Sequence, residues 1–137
     1  WDNLPLWFDL QFFQYLETLG AVVVAETFSH VWAGSLVSST PYESLARKHL
    51  SNMANCAIER RIQLIAGLVK DFRADGVILP TNWGCRMMTI GETIVKEGIR
   101  EMTGVSSLIL DVDSTDWRNY DEYQVKTKLE TYLRTLK

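Results

Sequence analysis

The sequence runs to 137 residues, of which 47% are hydrophobic and 23% charged, with a formal net charge of −3 at pH 7, the balance of one globular domain able to bury a core. A mildly acidic chain without a basic stripe carries no electrostatic footprint for nucleic acid or an anionic membrane. Its longest apolar runs, AVVVA and SLILDV, are too short to span a bilayer, no signal segment is visible, and its two distant cysteines oppose a disulfide scaffold and fit a reducing, cytoplasmic setting.

The segment DNLPLWFDLQFFQYLETLG predicts a helix capped by Asn3, with Pro5 in the first turn, where a missing N–H is harmless. Leu6, Leu10, Phe13 and Leu16 or Glu17 recur at helical spacing, and Gly20 closes the element. Trp7, Phe8, Phe12 and Phe13 read as core and interface filling. AVVVAE, residues 21–26, reads as a strand, continuous rather than alternating, as burial on both faces requires. TFSHVWAGSLVSST is a polar, glycine-bearing loop in which Trp32 is a candidate to line a site. Thr40 caps the next helix, with Pro41 first and Glu43 as the acid of a capping box.

A further helix carries Ile58, Ile62, Ile65 and Val69 on one stripe. GVILP is the second strand, and the loop holding Cys85 follows directly. TIGETIVKEGIREMTG is helical and stops at Gly104; SLILDV is the third strand. After the acidic loop DSTDWRNYDE the chain closes on a helix with Val125, Leu129, Tyr132 or Leu133, and Leu136 facing inward.

Strands separated by helices imply right-handed crossovers and a parallel sheet covered on both faces. The expected fold is therefore α/β and three-layered: a short parallel sheet flanked by helices, Rossmann- or flavodoxin-like. Such a unit should open on a strand, whereas this chain opens on a helix cap and begins with Trp1 rather than methionine. The reading is a single C-terminal α/β domain, residues 1–137, of a larger subunit, lacking its first strand. Ligands of open parallel sheets sit beyond the carboxyl ends of the strands, which singles out the loops after Glu26, Pro80 and Val112.

The loop after Pro80 reads TNWGCR. Cysteine is among the most frequently buried residue types, so a small core residue is one reading of Cys85. Its neighbours favour a ligand. Gly84 permits a positive φ or a close backbone approach to a bulky group, Arg86 favours the thiolate that binds metal, and Trp83 can exclude water on one side. Cys56, on or beside a helix, reads as structural, and His30 and His49 as isolated surface or loop residues.

DGVILPTNWGCR, followed by ETIVKEGIREMTGVSSLILDVDSTDWRNYDEYQVKTKLETYLRTL, resembles the C-terminal domain of the 2-hydroxyacyl-CoA dehydratase family, whose superfamily includes benzoyl-CoA reductase subunits. The opening WDNLPLWFDLQFFQYLETLGAVVVAETF is similar to the same domain just after its first strand, so the resemblance spans nearly the whole chain. Its most specific parts are W-G-C after a D-G-V-I strand and the ending D-x-D-x-x-D-x-R-x-Y…Q-x-K-T-K-L-E.

The resemblance implies a [4Fe–4S] cluster held by three cysteines, with one iron open to a non-protein ligand. Cys85 matches the last of the three; the other two would lie outside this chain, which alone should be inactive, and Trp83, Gly84 and Arg86 would form the cluster environment. Relatives often carry histidine before W-G-C where this chain has Asn82, which weakens an acid–base role there. The implied enzyme is a lyase. It eliminates water from an (R)-2-hydroxyacyl-CoA by radical chemistry, after one electron arrives from an ATP-dependent iron–sulfur activator. The implied partners are the upstream domain, a homologous second subunit, the activator and the acyl-CoA, with no nucleic acid and no membrane. W-G-C resembles the substrate-binding subunit more than the electron-relay subunit, whose loop more often reads R-S-C. A benzoyl-CoA reductase-type subunit, delivering low-potential electrons to an aryl-CoA thioester, is the nearest alternative.

LILDVDST supports a rival from another class. An apolar strand ending in D-x-D-x-T resembles the opening of haloacid dehalogenase-like phosphatases, with Asp111 as nucleophile and Asp113 as general acid around Mg²⁺. That motif normally opens its domain, however, and here only one helix follows. The competing reading of Asp111, Asp113 and Asp116 is a solvated strand-end loop that caps the last helix. A non-catalytic flavodoxin- or receiver-like module is also compatible with the topology.

Overall fold

The computed structural model describes residues 1–6, 8–31 and 33–136; Trp7 and Trp32, read above as core filling and as a site-lining candidate, lie outside them. Among the described residues six α-helices and two strands follow in chain order, besides two short 3₁₀ turns: α1 (Gln11–Thr18), α2 (Pro41–Ser51), α3 (Ile58–Phe72), β1 (Val77–Asn82), α4 (Arg86–Thr89), α5 (Glu92–Thr103), β2 (Ser107–Val112) and α6 (Glu122–Thr135). β1 and β2 pair in parallel, from Val77 opposite Ser107 to Asn82 opposite Val112, with α5 as the crossover. The expected parallel sheet covered by helices is thus present.

Two apolar clusters make the layers. On one face Leu16 of α1 and Val125 and Leu129 of α6 pack with Leu6, Phe12, Leu110 and Val112. On the other, Ile62, Ile65 and Val69 of α3 pack with Val95 and Ile99 of α5 over Val77 and Leu79. Successive side chains of a strand point to opposite faces, so Ile78 joins the first cluster while Val77 and Leu79 join the second. The isoleucine stripe of α3 is buried as its spacing predicts, and α5 ends at Gly104 with φ 75°.

Three local expectations are corrected. The first helix starts at Gln11, not after Asn3. Asn3 is buried with φ 66°, a conformation incompatible with a helix cap, because its N–H donates to Thr27 Oγ1 at 2.8 Å. Residues 21–26 form no strand ladder and are not buried on both faces: Val22 and Val24 are 66% and 46% exposed, whereas Ala21 and Val23 pack on the core. The capping box at Thr40 does not form; Glu43 instead accepts from Arg47 at 2.8 Å, an exposed pair one helical turn apart.

α3 and α5 approach closely because Gly98 offers no side chain. A Cβ there would lie 2.6 Å from Ile62 Cδ1 and 2.9 Å from its Cγ2. Helix propensity alone favours Gly98→Ala by about 1 kcal/mol. Overpacking of this contact opposes it by about 1–3 kcal/mol, and the expected result in urea unfolding is a net loss of roughly 1 kcal/mol, partly recovered by Ile62→Val.

Candidate functional site

The cysteine turn begins where β1 ends. Asn82 O accepts from Cys85 N–H at 2.7 Å and from Thr89 Oγ1 at 3.1 Å, closing a tight turn whose carboxyl side runs into α4. Cys85 is the residue before that helix and makes no side-chain capping bond; its thiol is free and half-buried. Gly84 does not take a positive φ, so the left-handed role expected of it is not used, but a Cβ there would meet no atom within 4 Å. Space beside the turn is therefore open. Trp83 is 59% exposed, and Arg86 is exposed and forms no ion pair among the described residues.

The turn is held from two sides. Asp111 Oδ1, from β2, accepts from Trp83 Nε1 at 2.7 Å and from Thr81 Oγ1 at 3.1 Å. From below, Arg61 of α3 donates through Nη1 to Met88 O at 2.8 Å and forms a buried ion pair with Asp2. Asp2 Oδ1 in turn accepts from Thr27 Oγ1 at 2.7 Å. One polar relay thus runs from the loop after residue 26, through Asp2 and Arg61, to the helix that follows Cys85. Of the three strand-end loops expected to converge, the end of β2 is bonded directly to the cysteine turn through Asp111, whereas the loop after Glu26 reaches α4 only by way of Asp2 and Arg61.

Glu92, the first residue of α5, lies in this neighbourhood and is only 3% exposed. Burial pushes its carboxyl up to about 7; Arg61 works against that shift, and Asp2 and Asp111 add to it. Oε1 of Glu92 and Nε of Arg61 have no hydrogen-bond partner. Sequence reading missed both residues. Glu92 shares the i, i+3, i+7 stripe of Val95 and Ile99, and an acid on an apolar stripe was the available signal.

The remaining candidates separate. Asp113 is buried and accepts from Thr115 N–H and Oγ1, Asp116 N–H and Asn119 Nδ2. Burial alone would raise its pKa, yet these donors hold it below the ordinary carboxylate range. Asp116 caps the short 3₁₀ turn Trp117–Asn119 and pairs with Arg118. The cap of α6 is Asp121, at 3.0 Å from Gln124 N–H, not one of the three aspartates expected. Asp111 and Asp113 are thus committed to the Trp83–Thr81 and loop donors, and no set of three His, Cys, Asp or Glu able to hold a metal occurs among the described residues. The thiol of Cys56 donates to Met53 O at 3.6 Å, and His30 and His49 are exposed. No helix of the described residues is long and apolar enough to cross a membrane.

Residues 1–136 match the family described as 2-hydroxyglutaryl-CoA dehydratase, D-component. The chain is 25% identical over 141 residues to a benzoyl-CoA reductase subunit of Thauera aromatica, covering 97% of this chain and 32% of that protein. It is 19% identical over 138 residues to the alpha subunit of the lactoyl-CoA dehydratase of Anaerotignum propionicum, covering 99% of this chain and 33% of that protein. The chain spans about a third of the length of these relatives.

Two outcomes follow from the site. A carboxyl whose folded pKa exceeds its unfolded value contributes stability below the unfolded pKa and loses it as pH rises through the folded one. For Glu92 that window runs from 4.5 to about 7. Wild-type stability should fall by up to about 3 kcal/mol across it, and Glu92→Gln should flatten this dependence in chemical unfolding at stepped pH. Asp111→Ala removes the acceptor of Trp83 and Thr81, and is expected to cost about 1–2 kcal/mol and to quicken Cys85 labelling by a thiol reagent.

Proposed function

The chain belongs to the 2-hydroxyglutaryl-CoA dehydratase D-component family, and from that premise we propose that it is the C-terminal domain of an iron–sulfur subunit of a cytoplasmic 2-hydroxyacyl-CoA dehydratase. The observation that carries this reading is the free, half-buried Cys85 thiol at the carboxyl end of β1, in a turn with open space at Gly84. One thiolate with no companion ligand among the described residues suits a cluster completed by cysteines of an upstream domain.

When bound, a [4Fe–4S] cluster supplies one-electron transfer at low potential, and an open iron supplies a Lewis-acidic position for an acyl-CoA oxygen. This chain's part is placement. The Asn82–Cys85 hydrogen bond and the Asp111–Trp83 clamp hold the backbone of the cysteine turn, and Arg86 beside Cys85 is exposed. Trp83 and the unsubstituted backbone at Gly84 give the cysteine turn one aromatic wall and one open side. Glu92, whose carboxyl burial pushes up to about 7, carries less negative charge in the buried ground beside the turn than an ordinary carboxylate would. The partners on this reading are the upstream domain, a homologous second subunit, an ATP-dependent activator and the acyl-CoA.

A benzoyl-CoA reductase-type role is the second reading, favoured by the 25% identity to one chain of that enzyme. Both readings place Cys85 on iron and differ in whether the thioester loses water or gains electrons. Anaerobic reconstitution of the full-length subunit tests the shared claim. Cys85→Ala is expected to lose most four-iron absorbance and its low-temperature electron paramagnetic resonance signal, while Cys56→Ala keeps both. An undiminished signal in Cys85→Ala would falsify the ligand assignment. Turnover of 2-hydroxyacyl-CoA against benzoyl-CoA by the holoenzyme separates the two reactions.

A further inference from the structure

Asp2, Arg61 and Glu92 are almost fully buried beneath the cysteine turn, and their bonds do not use them up. A guanidinium offers a carboxylate a two-toothed edge made of Nε–H and Nη2–H. Asp2 fills only one tooth: its Oδ2 meets Nη2, while its Oδ1 is turned to Thr27 Oγ1 at 2.7 Å. Nη1 points elsewhere and donates to Met88 O at 2.8 Å. Nε–H of Arg61 is left idle, and so is an acceptor in the same neighbourhood, Oε1 of Glu92. Packing brings the two side chains together. A Cβ at Gly91 would lie 2.4 Å from Ile58 Cδ1, so the start of α5, with Glu92, rests against the first turn of α3, where Arg61 lies. A buried donor and a buried acceptor, complementary and both unused, call for a physical reason.

The charges around Glu92 supply one. Arg61 is the one buried cation among the described residues, and it faces Asp2 from the first residues and Glu92 from α5, with Asp111 of β2 adding to the negative side. Glu59 and Arg60 of α3, Arg86 of α4 and Glu97 of α5 are exposed, and Lys96 of α5 is half-buried. As a neutral acid Glu92 leaves one carboxylate to one guanidinium, a balanced pair. Burial favours that form and pushes the carboxyl up to about 7, so ionisation falls near neutrality. Once ionised, a buried carboxylate needs a donor, and Nε–H of Arg61 is the unused cationic one beside it. The N-terminal turn of α5 favours the negative charge as well.

We propose that Glu92 is a positioning residue for Cys85 that acts through Arg61: as an acid it leaves the guanidinium to Asp2 and Met88, and as a carboxylate it takes Nε and draws the guanidinium away from Met88. The Met88 carbonyl lies in the last turn of the short α4, where no N–H of the same helix can reach it. Arg61 is the side chain that serves it. Loss of that bond loosens the helix that starts directly after Cys85 and opens the thiol to solvent. The inference concerns the bare thiol and does not rest on the iron reading.

Alkylation of Cys85 by iodoacetamide, in the full-length subunit prepared without iron and followed by peptide mass spectrometry, tests this over roughly pH 5 to 9. Wild type is compared with Glu92→Gln at each pH, so that the thiol's own ionisation cancels. The two rates should agree at the acid end, and the wild type should become roughly 5-fold faster above a midpoint of about 7. A carboxylate acting only as a nearby charge would raise the thiol pKa and slow the wild type instead. A slower wild type therefore overturns the proposal, as does a ratio that stays flat. The Arg61 Nε–H resonance of the wild type needs no variant: it should move with the same midpoint, and a resonance that stays in place also overturns the proposal. Cluster spectra of Cys85→Ala are read on iron-loaded protein, so the two readings fail separately.

Discussion

The buried ion pair between Arg61 and Asp2 is the contact on which the arrangement at the strand tips depends. Both charges are withdrawn from water, and a pair of that kind is stable only when its remaining donors and acceptors are used. Here they largely are: Arg61 reaches the carbonyl of Met88, and Asp2 takes the hydroxyl of Thr27. The pair thereby couples three stretches far apart in sequence, namely the first residues, the third helix and the helix behind the cysteine turn. Removal of either partner leaves the other as an uncompensated buried charge, a defect on the order of 3–5 kcal/mol.

Elements built by local periodicity were readable from the residues. The α3 stripe, the two paired strands, the Gly104 stop and the inward face of α6 all depend on spacing that a few neighbouring residues decide. The N-terminal region was not. Asn3, Pro5 and the apolar residues after them satisfy every rule for a helix start, yet Asn3 is pulled into a left-handed conformation by Thr27, 24 residues away. Residues 21–26 have strand composition, but their only backbone bond to another segment is Ala25 with Trp1, no strand is formed, and they show only alternating burial. In both cases a tertiary contact overrides a correct local preference.

The candidate site divides along the same line. Cys85, Gly84 and Trp83 lie within one turn after a strand, and position alone brought them to notice; family resemblance raised Cys85 above a core residue. Asp111 was noticed for its place in a phosphatase-like motif, whereas its bonds in the fold are to Trp83 and Thr81. Arg61 and Glu92 were unseen because each gains its meaning from groups on other elements. The backbone of the cysteine turn is tied down by the Asn82–Cys85 bond and by Asp111 on Trp83, near a buried acid whose carboxyl burial pushes up to about 7. On the proposed reading, a turn tied down in this way suits a ligand whose small displacements would change the properties of the centre it holds.

Pro80 lies buried in the middle of β1 on the side facing residues 1–3, where a ladder would call for an N–H that proline lacks. Pairing with Asp2 therefore begins at Ile78 and finds no second donor two residues later. The backbone is released there, Asn3 turns to a positive φ, and the Asp2 carboxylate is left to descend toward Arg61. A missing hydrogen thus sets where residues 1–3 must peel away from β1, acting as a ruler that fixes how far their pairing runs before the chain turns toward the cysteine end.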